Sequence, residues 1–115
     1  MQSWNLLDFE TPGGTRSPIV LHSTDEARAV FIRIDPGQEM GDHQVHERAY
    51  VVVVAGRVRI DAGGESLDAG PGTLVRFEEN ERRRVSSSEG GRILLLLAPW
   101  PGPGHYRGGP APRNA

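Results

Sequence analysis

Two imidazoles and one carboxylate lie within a five-residue segment at His43, His46 and Glu47. Two histidines and one carboxylate are the ligand set that suits non-haem iron or manganese. In a regular strand His43 and Glu47 share one face and His46 points the other way, so a metal site needs a β-bulge near Val45. Without that bulge, His43 is either a polar residue that binds Glu47 or a ligand, or a purely structural residue. The spacing leaves these alternatives open.

The segment 37–56 around these residues resembles the first sequence motif of the cupin superfamily, which reads Gly-x5-His-x-His-x3-Glu-x6-Gly. Gly37, His43 and Gly56 match the motif, whereas Val45 and Ala49 stand where it has its second His and its Glu. The resemblance implies that these positions face a barrel interior, where cupins typically hold a divalent metal. Val and Ala offer no lone pair, so two of the expected ligands are absent.

A second segment, 72–87, is similar in spacing to the second cupin motif, Gly-x5-Pro-x-Gly-x2-His-x3-Asn. Gly72 matches the motif, and Glu78, Asn80 and Ser87 replace its Pro, its second Gly and its Asn. Arg83 stands where the last metal-binding His is expected. A guanidinium stays protonated and has no acceptor, so it repels a cation and cannot ligate it. We therefore expect no metal cofactor.

The resemblance implies a ligand-binding pocket lined by His43, Val45, Glu47, Ala49 and Arg83. We expect this pocket to bind a small molecule, with an acidic group held by the bidentate fork of Arg83 and by His43. Glu47 is an alternative, internal partner for the Arg83 guanidinium. The two flanking arginines of the Arg82–Arg84 run are expected to lie in solvent.

The sequence is compatible with other functions as well, and it identifies no catalytic residue. In one alternative the protein is a metal-dependent cupin enzyme of the dioxygenase or isomerase class, with Fe, Mn, Ni or Zn held by a regrouped His43, His46 and Glu47. In another, His43 is a metal-free general base that pairs with Glu47, which resembles the sugar-nucleotide epimerases of the same superfamily. A third alternative is a structural or interaction module that acts as a dimer.

Short apolar segments separated by Gly, Pro, Asn or Asp predict an all-β protein, and the resemblance implies a single cupin-type double-stranded β-helix, or jelly-roll barrel. One of the predicted strands is a short one at Gln44–Val45. We divide the chain into an N-terminal arm (1–18), the barrel (19–98) and a Pro/Gly-rich tail (99–115). His105 in this tail is a candidate for covering the barrel mouth.

Composition narrows the range of partners. With 13 Arg, no Lys and 15 Asp or Glu, the net charge is -2, which favours neither nucleic acid nor an anionic membrane as a partner. There is no cysteine, so disulfides and Cys-ligated zinc are excluded. The sequence shows no signal-peptide pattern and no apolar window approaching about 18 residues, so we expect a cytoplasmic location.

Two segments, Val51–Val54 and Ile93–Leu97, are apolar on both faces of a strand. One face must line the barrel interior, and the other needs a second cover. A second subunit is one such cover, so a homodimer is predicted. The alternative cover is a terminal arm of the same chain.

Overall fold

The computed structural model describes residues 1–8, 18–44 and 48–99, and it describes 41–44 by their backbone alone. Nine β-strands form the regular structure of these residues. All strand pairs are antiparallel, and the predicted all-β class is confirmed. Sheet A has the order β1-β2-β9-β4-β7, and sheet B has the order β3-β8-β5-β6. The strands are β1 (Ile19–Ser23), β2 (Arg28–Ile34), β3 (Glu39–Gln44), β4 (Arg48–Gly56), β5 (Val58–Ala62), β6 (Glu65–Ala69), β7 (Leu74–Phe77), β8 (Arg82–Ser86) and β9 (Gly91–Ala98).

The core lies between the two sheets and follows from period-two alternation along the strands. In β4, Val51 and Val53 are buried while Val52 between them is only partly buried. In β8, Val85 is buried and its exposed neighbour Arg84 faces outward. Each fully buried aliphatic or aromatic side chain stabilises the fold by about 1.5–3 kcal/mol. The buried cluster that joins the sheets contains Val30, Ile32, Ile34, Ala49, Val51, Val53, Val58, Ile60, Ala69, Phe77, Val85, Ile93, Leu95 and Leu97.

The outer face of sheet A carries a row of apolar side chains as well as Arg33, Arg76 and Arg92. One cross-strand row runs through Phe31, Leu94, Val52 and Leu74, which lie opposite one another in β2, β9, β4 and β7. Phe31 is buried, Leu94 and Val52 are partly buried, and Leu74 is 62% exposed. The N-terminal arm reaches this sheet, since Arg92 Nη1 donates a hydrogen bond of 3.1 Å to the Leu7 carbonyl.

The ends of the barrel are formed by two sets of turns. At one end, which we call the closed end, lie the turns 35–38, 56–57, 70–73 and 87–90. At the other end, which we call the mouth, lie the turns 63–64 and 78–81 and the last residues of β9. Three motif glycines, Gly37, Gly56 and Gly72, belong to the closed end and have φ of 82°, 75° and 92°. This left-handed backbone is unfavourable for residues with a Cβ atom, which explains why these glycines occur at their spacing.

One predicted strand differs from the structure. The expected strand at Gln44–Val45 is instead β3, Glu39–Gln44, which begins five residues earlier. Its pairing with β8 is irregular between Met40 and His43, several residues before the bulge near Val45 that the regrouped metal site requires. Residues 45–47 lie outside the described part of the chain. No helix among the described residues is long and apolar enough to cross a membrane.

Candidate ligand-binding site at the barrel mouth

Arg83 is the central charged residue of the barrel mouth. Along β8 the exposed and buried positions alternate, so Arg83 faces the interior between the outward-facing Arg82 and Arg84. Only 4% of Arg83 is exposed. Its backbone lies opposite His43 of β3 on one side and opposite Ala62 of β5 on the other. The register of sheet B therefore brings two of the predicted site residues, His43 and Arg83, to the same position of the sheet.

The Arg83 guanidinium packs on an aromatic ring that belongs to sheet A. Its Cζ atom lies 5.0 Å from the centroid of the Phe77 ring, within the range of a cation–π interaction. Phe77 is buried and lies opposite Ala49 in the β4–β7 pair, and Ala49 is 0% exposed. Arg83, Phe77 and Ala49 thus meet across the mouth. Phe77 was not predicted as a site residue, although its place in the β7 alternation, two positions after Val75, marks it as inward-facing.

A tight turn leads from Phe77 to Arg83. The Glu78 N–H donates to Glu81 Oε1 at 3.0 Å, and the Glu81 N–H donates to the Glu78 carbonyl at 3.2 Å. Asn80 has a φ of 63°, which Asn tolerates better than most residues with a Cβ atom. Asn80 stands at the position where the second cupin motif has a glycine, so the substitution keeps the shape of the turn that positions Arg83.

Comparison with known proteins identifies the barrel. The sequence profile of the Cupin domain family matches residues 30–98. The chain belongs to the cupin domain family. No curated protein matches the sequence. The predicted resemblance is therefore confirmed at the level of the family.

Solved structures agree with this assignment. An RmlC-like cupin protein from Desulfovibrio desulfuricans superposes with a TM-score of 0.76 at 20% identity, covering 86% of this chain and 97% of that chain. A Klebsiella pneumoniae protein with a double-stranded β-helix domain has a TM-score of 0.74 at 19% identity, covering 86% and 90%. A cupin superfamily protein from Desulfitobacterium hafniense has a TM-score of 0.74 at 10% identity, covering 81% and 85%. At these identities the likeness shows the fold alone.

Cupin motifs assign four positions to metal ligands. Side chains are described at two of these positions, and neither residue there can bind a metal ion. Ala49 has no donor atom, and Arg83 places a positive charge where an imidazole is expected. Within the described residues, no group of three or more His, Cys, Asp or Glu side chains could hold a metal ion. Of the other predicted site residues, His43 is described by its backbone only.

The remaining predicted residues lie outside the described part of the chain. These are the pocket residues Val45 and Glu47, the alternative metal ligand His46 and the lid candidate His105. The internal pairing of Arg83 with Glu47 and the regrouped metal site therefore stay predictions.

The rim of the mouth carries charged groups that are held by neighbours. Arg76 Nη1 and Glu78 Oε2 form an ion pair of 2.5 Å, and Arg48 Nε lies 3.9 Å from Glu78 Oε1.

An open depression of about 380 Å³ at the tip of the β5–β6 hairpin is lined by both Ala62 and Arg83. The depression gives solvent a route to the edge of the Arg83 position.

The outer face of sheet B carries a polar cluster close to this depression. Asp61 accepts hydrogen bonds from the Ser66 hydroxyl and from Arg59 Nε, the latter at 3.0 Å. The hydrogen bond from Ser66 and then that from Arg59 lower the pKa of Asp61 below its usual value, and the charges of Arg59 and Arg84 add to the effect. This cluster faces solvent, so it belongs to the surface of the barrel and not to its interior.

Proposed function

We propose that this cupin protein binds a small molecule through an acidic group at the barrel mouth, with Arg83 as the main binding residue. The observation that carries the proposal is the burial of Arg83, which is 4% exposed and whose Cζ atom lies 5.0 Å from the centroid of the Phe77 ring. A charge in such surroundings interacts strongly with an anion because solvent screens it little. Arg83 has five N–H donors, so it can keep an internal partner and bind a ligand at the same time.

His43 is the second polar group of the proposed site. The β3–β8 register sets its backbone opposite Arg83, so an imidazole and a guanidinium start from adjacent strands. A neutral imidazole can donate or accept a hydrogen bond, which suits a carboxylic acid or a phosphate. In this proposal the metal of other cupins has been replaced by a permanent positive charge, and the pocket remains as an apolar cavity with a few polar groups.

An anion titration tests the role of Arg83. Acetate and inorganic phosphate are added to isotope-labelled protein, and shifts of the backbone amides around Phe77 and Arg83 are followed by NMR. We expect saturable shifts in the wild type that disappear in Arg83→Leu. Arg84→Leu is the matched control, because it removes the same charge from the outward face of the same strand. Equal shifts in wild type and Arg83→Leu would discard the proposal.

Elemental analysis tests the metal-dependent alternative. Protein purified without added metal or chelator is examined for Fe, Mn, Ni and Zn. The proposed anion site predicts far less than one metal ion per chain, since Arg83 and Ala49 cannot ligate. A near-stoichiometric ion that is lost in a His43→Ala variant would instead favour the regrouped site of His43, His46 and Glu47.

We also propose that the protein is a homodimer that buries the outer face of sheet A. Support comes from the partly buried Val52, Leu94 and Leu96 and from the 62% exposed Leu74, which lie side by side on the outer face of sheet A. A monomer in sedimentation equilibrium would contradict the proposal. Leu94→Glu should dissociate the dimer, whereas an exposed charge reversal on sheet B, Arg59→Glu, should not.

A further inference from the structure

A cleft of about 250 Å³ opens between β6 and β7. Among the described strands, β6 pairs only with β5 and β7 pairs only with β4, so each presents a free edge to the cleft. The buried Ile60 and Phe77 form its inner part, and Val75 and the 44% exposed Leu67 form its walls. Because Ile60, Val75 and Phe77 belong to the inward faces of their strands, the cleft is a side opening into the barrel interior.

The cleft adjoins the Arg83 position through two shared apolar residues. Ala62 lines the cleft and lies directly opposite Arg83 in the β5–β8 pair, where cross-strand Cβ atoms are about 4.5–5.5 Å apart. Phe77 lines the cleft as well, and its ring packs against the guanidinium. The Ala62 methyl group and the Phe77 ring therefore lie between the buried charge and the cleft. A ligand chain that starts at Arg83 can pass over Ala62 into the apolar part of the cleft, beside Ile60 and Phe77.

We propose that the ligand is an amphipathic monocarboxylate, whose carboxylate binds Arg83 and whose alkyl or aryl part fills the cleft between β6 and β7. The inference rests on the anion-binding function proposed above and names the class of ligand. Its physical basis is the adjacency of a buried cation, which suits a carboxylate, to an apolar cleft, which suits a hydrocarbon.

The rim of the cleft selects against a second acid group. Glu65 and Glu81 both line it, and Arg76, which also lines it, is already in an ion pair of 2.5 Å with Glu78. A carboxylate at the far end of a bound chain would lie beside these acidic side chains and be repelled. Monocarboxylates should therefore bind more tightly than dicarboxylates of equal length.

A chain-length series tests the inference on the full-length protein. Dissociation constants are measured by NMR titration for acetate, butanoate, hexanoate and octanoate, and for octanedioate. Each buried methylene should tighten binding about three- to fourfold. Octanoate should bind at least tenfold more tightly than octanedioate. A dissociation constant that does not change with chain length would overturn the inference while leaving the anion site at Arg83 standing.

Variants locate the binding of the chain. Ala62→Leu fills the passage and should reduce octanoate affinity to that of acetate. Leu67→Asp places a charge in the exposed wall of the cleft, where folding tolerates it, and should weaken octanoate at least tenfold with acetate unchanged. Val20→Asp is the control, because Val20 is exposed to a similar degree on β1, at the opposite edge of sheet A.

Two outcomes separate this inference from the function on which it rests. If no carboxylate of any length binds, both proposals fail. If octanoate binds and its affinity is insensitive to Leu67→Asp and Ala62→Leu, the hydrocarbon lies elsewhere and only the cleft assignment fails. Support requires that Arg83→Leu weakens every member of the series and that Leu67→Asp weakens only the long ones.

Discussion

The two ends of this barrel are built from the same strands, yet they satisfy their polar groups in different ways. At the closed end three turns are joined by hydrogen bonds through one serine. Ser87 Oγ donates to the Arg57 carbonyl at 2.5 Å and accepts from the Gly90 N–H at 2.7 Å. The Ser87 backbone adds bonds to Gly37 and Gln38 at 2.8 and 3.1 Å.

At the mouth the described turn 78–81 is closed within itself, by the two bonds between Glu78 and Glu81. The interior of the mouth holds the guanidinium of Arg83 and the ring of Phe77, which contact each other across the two sheets. Hydrogen bonds between turns hold the closed end together, whereas the mouth is crossed by side chains of the two sheets. The closed end therefore contributes stability, and the mouth contributes the candidate site.

The largest expected effect is at the closed end, from Gly56→Ala. A Cβ atom at position 56 would lie 2.2 Å from the Gly90 carbonyl oxygen, and the residue has a φ of 75°. Left-handed strain of about 1–2 kcal/mol and the disrupted bond from the Arg57 N–H to Gly90 should together lower the free energy of unfolding by about 3 kcal/mol or more. Urea denaturation measures the change.

Gly64→Ala is the control for backbone strain alone. Gly64 has a φ of 80°, and a Cβ atom there would meet no described atom within 4 Å. Its cost should stay at about 1–2 kcal/mol. If Gly56→Ala and Gly64→Ala lowered the free energy of unfolding equally, the close approach of Gly56 and Gly90 would not contribute to stability. One argument for the closed end as the stabilising end of the barrel would then be lost.

A somewhat smaller loss is expected from Ser87→Ala. The substitution removes the hydrogen-bond partner of the Gly90 N–H and of the Arg57 carbonyl, both in part-buried bonds, which should cost about 2 kcal/mol. Ser88→Ala, at the exposed neighbouring position, should change the free energy of unfolding by less than about 0.5 kcal/mol. If Ser87→Ala were as mild as Ser88→Ala, the serine would not be the link between the turns.

Most of the fold could be predicted from the sequence because its signals are local. Gly37, Gly56 and Gly72 are needed for left-handed turns, and this requirement is visible in a single residue type. The alternation of β8 likewise marks Val85 as inward-facing, whereas Val51–Val54 of β4 are all apolar and only the motif frame distinguishes the inward Val51 and Val53. The strand β3 was placed wrongly since its residues, Glu39–Gln44, are mostly polar and show no apolar alternation.

The candidate site was harder to predict because it depends on contacts across sheets. Arg83 could be singled out from the motif spacing alone, and its burial agrees with an inward position. Its contact with Phe77 joins residues of different sheets, and no periodicity within one strand reveals such a contact. The cleft between β6 and β7 likewise exists only because the sheet order leaves both strands at an edge.

At the mouth we expect little loss of stability from Arg83→Met. Met can fill the volume of the Arg83 side chain without the cost of burying a charge, which offsets part of what is lost with the contacts of the guanidinium. The free energy of unfolding should therefore change by less than about 1 kcal/mol, while anion binding is lost. A loss of about 3–5 kcal/mol would instead indicate that Arg83 is the structural partner of a buried carboxylate. Rescue of that loss by adding Glu47→Gln would identify the carboxylate.

The smallest expected effect concerns the pH dependence of the surface cluster at Asp61. Hydrogen bonds from Ser66 and Arg59 lower the pKa of Asp61 in the folded protein below the unfolded value of 3.8. A lowered folded pKa means that the ionised form stabilises the fold above pH 3.8 and that this contribution is lost as the pH falls through the folded pKa. Asp61→Asn should therefore lower the melting temperature slightly at neutral pH, and the difference from the wild type should vanish in acid. Asp68→Asn on β6 serves as the control for charge. A difference at Asp61 that persists unchanged in acid would show that the ionised carboxylate is not the stabilising form, and that the cluster acts through its shape alone.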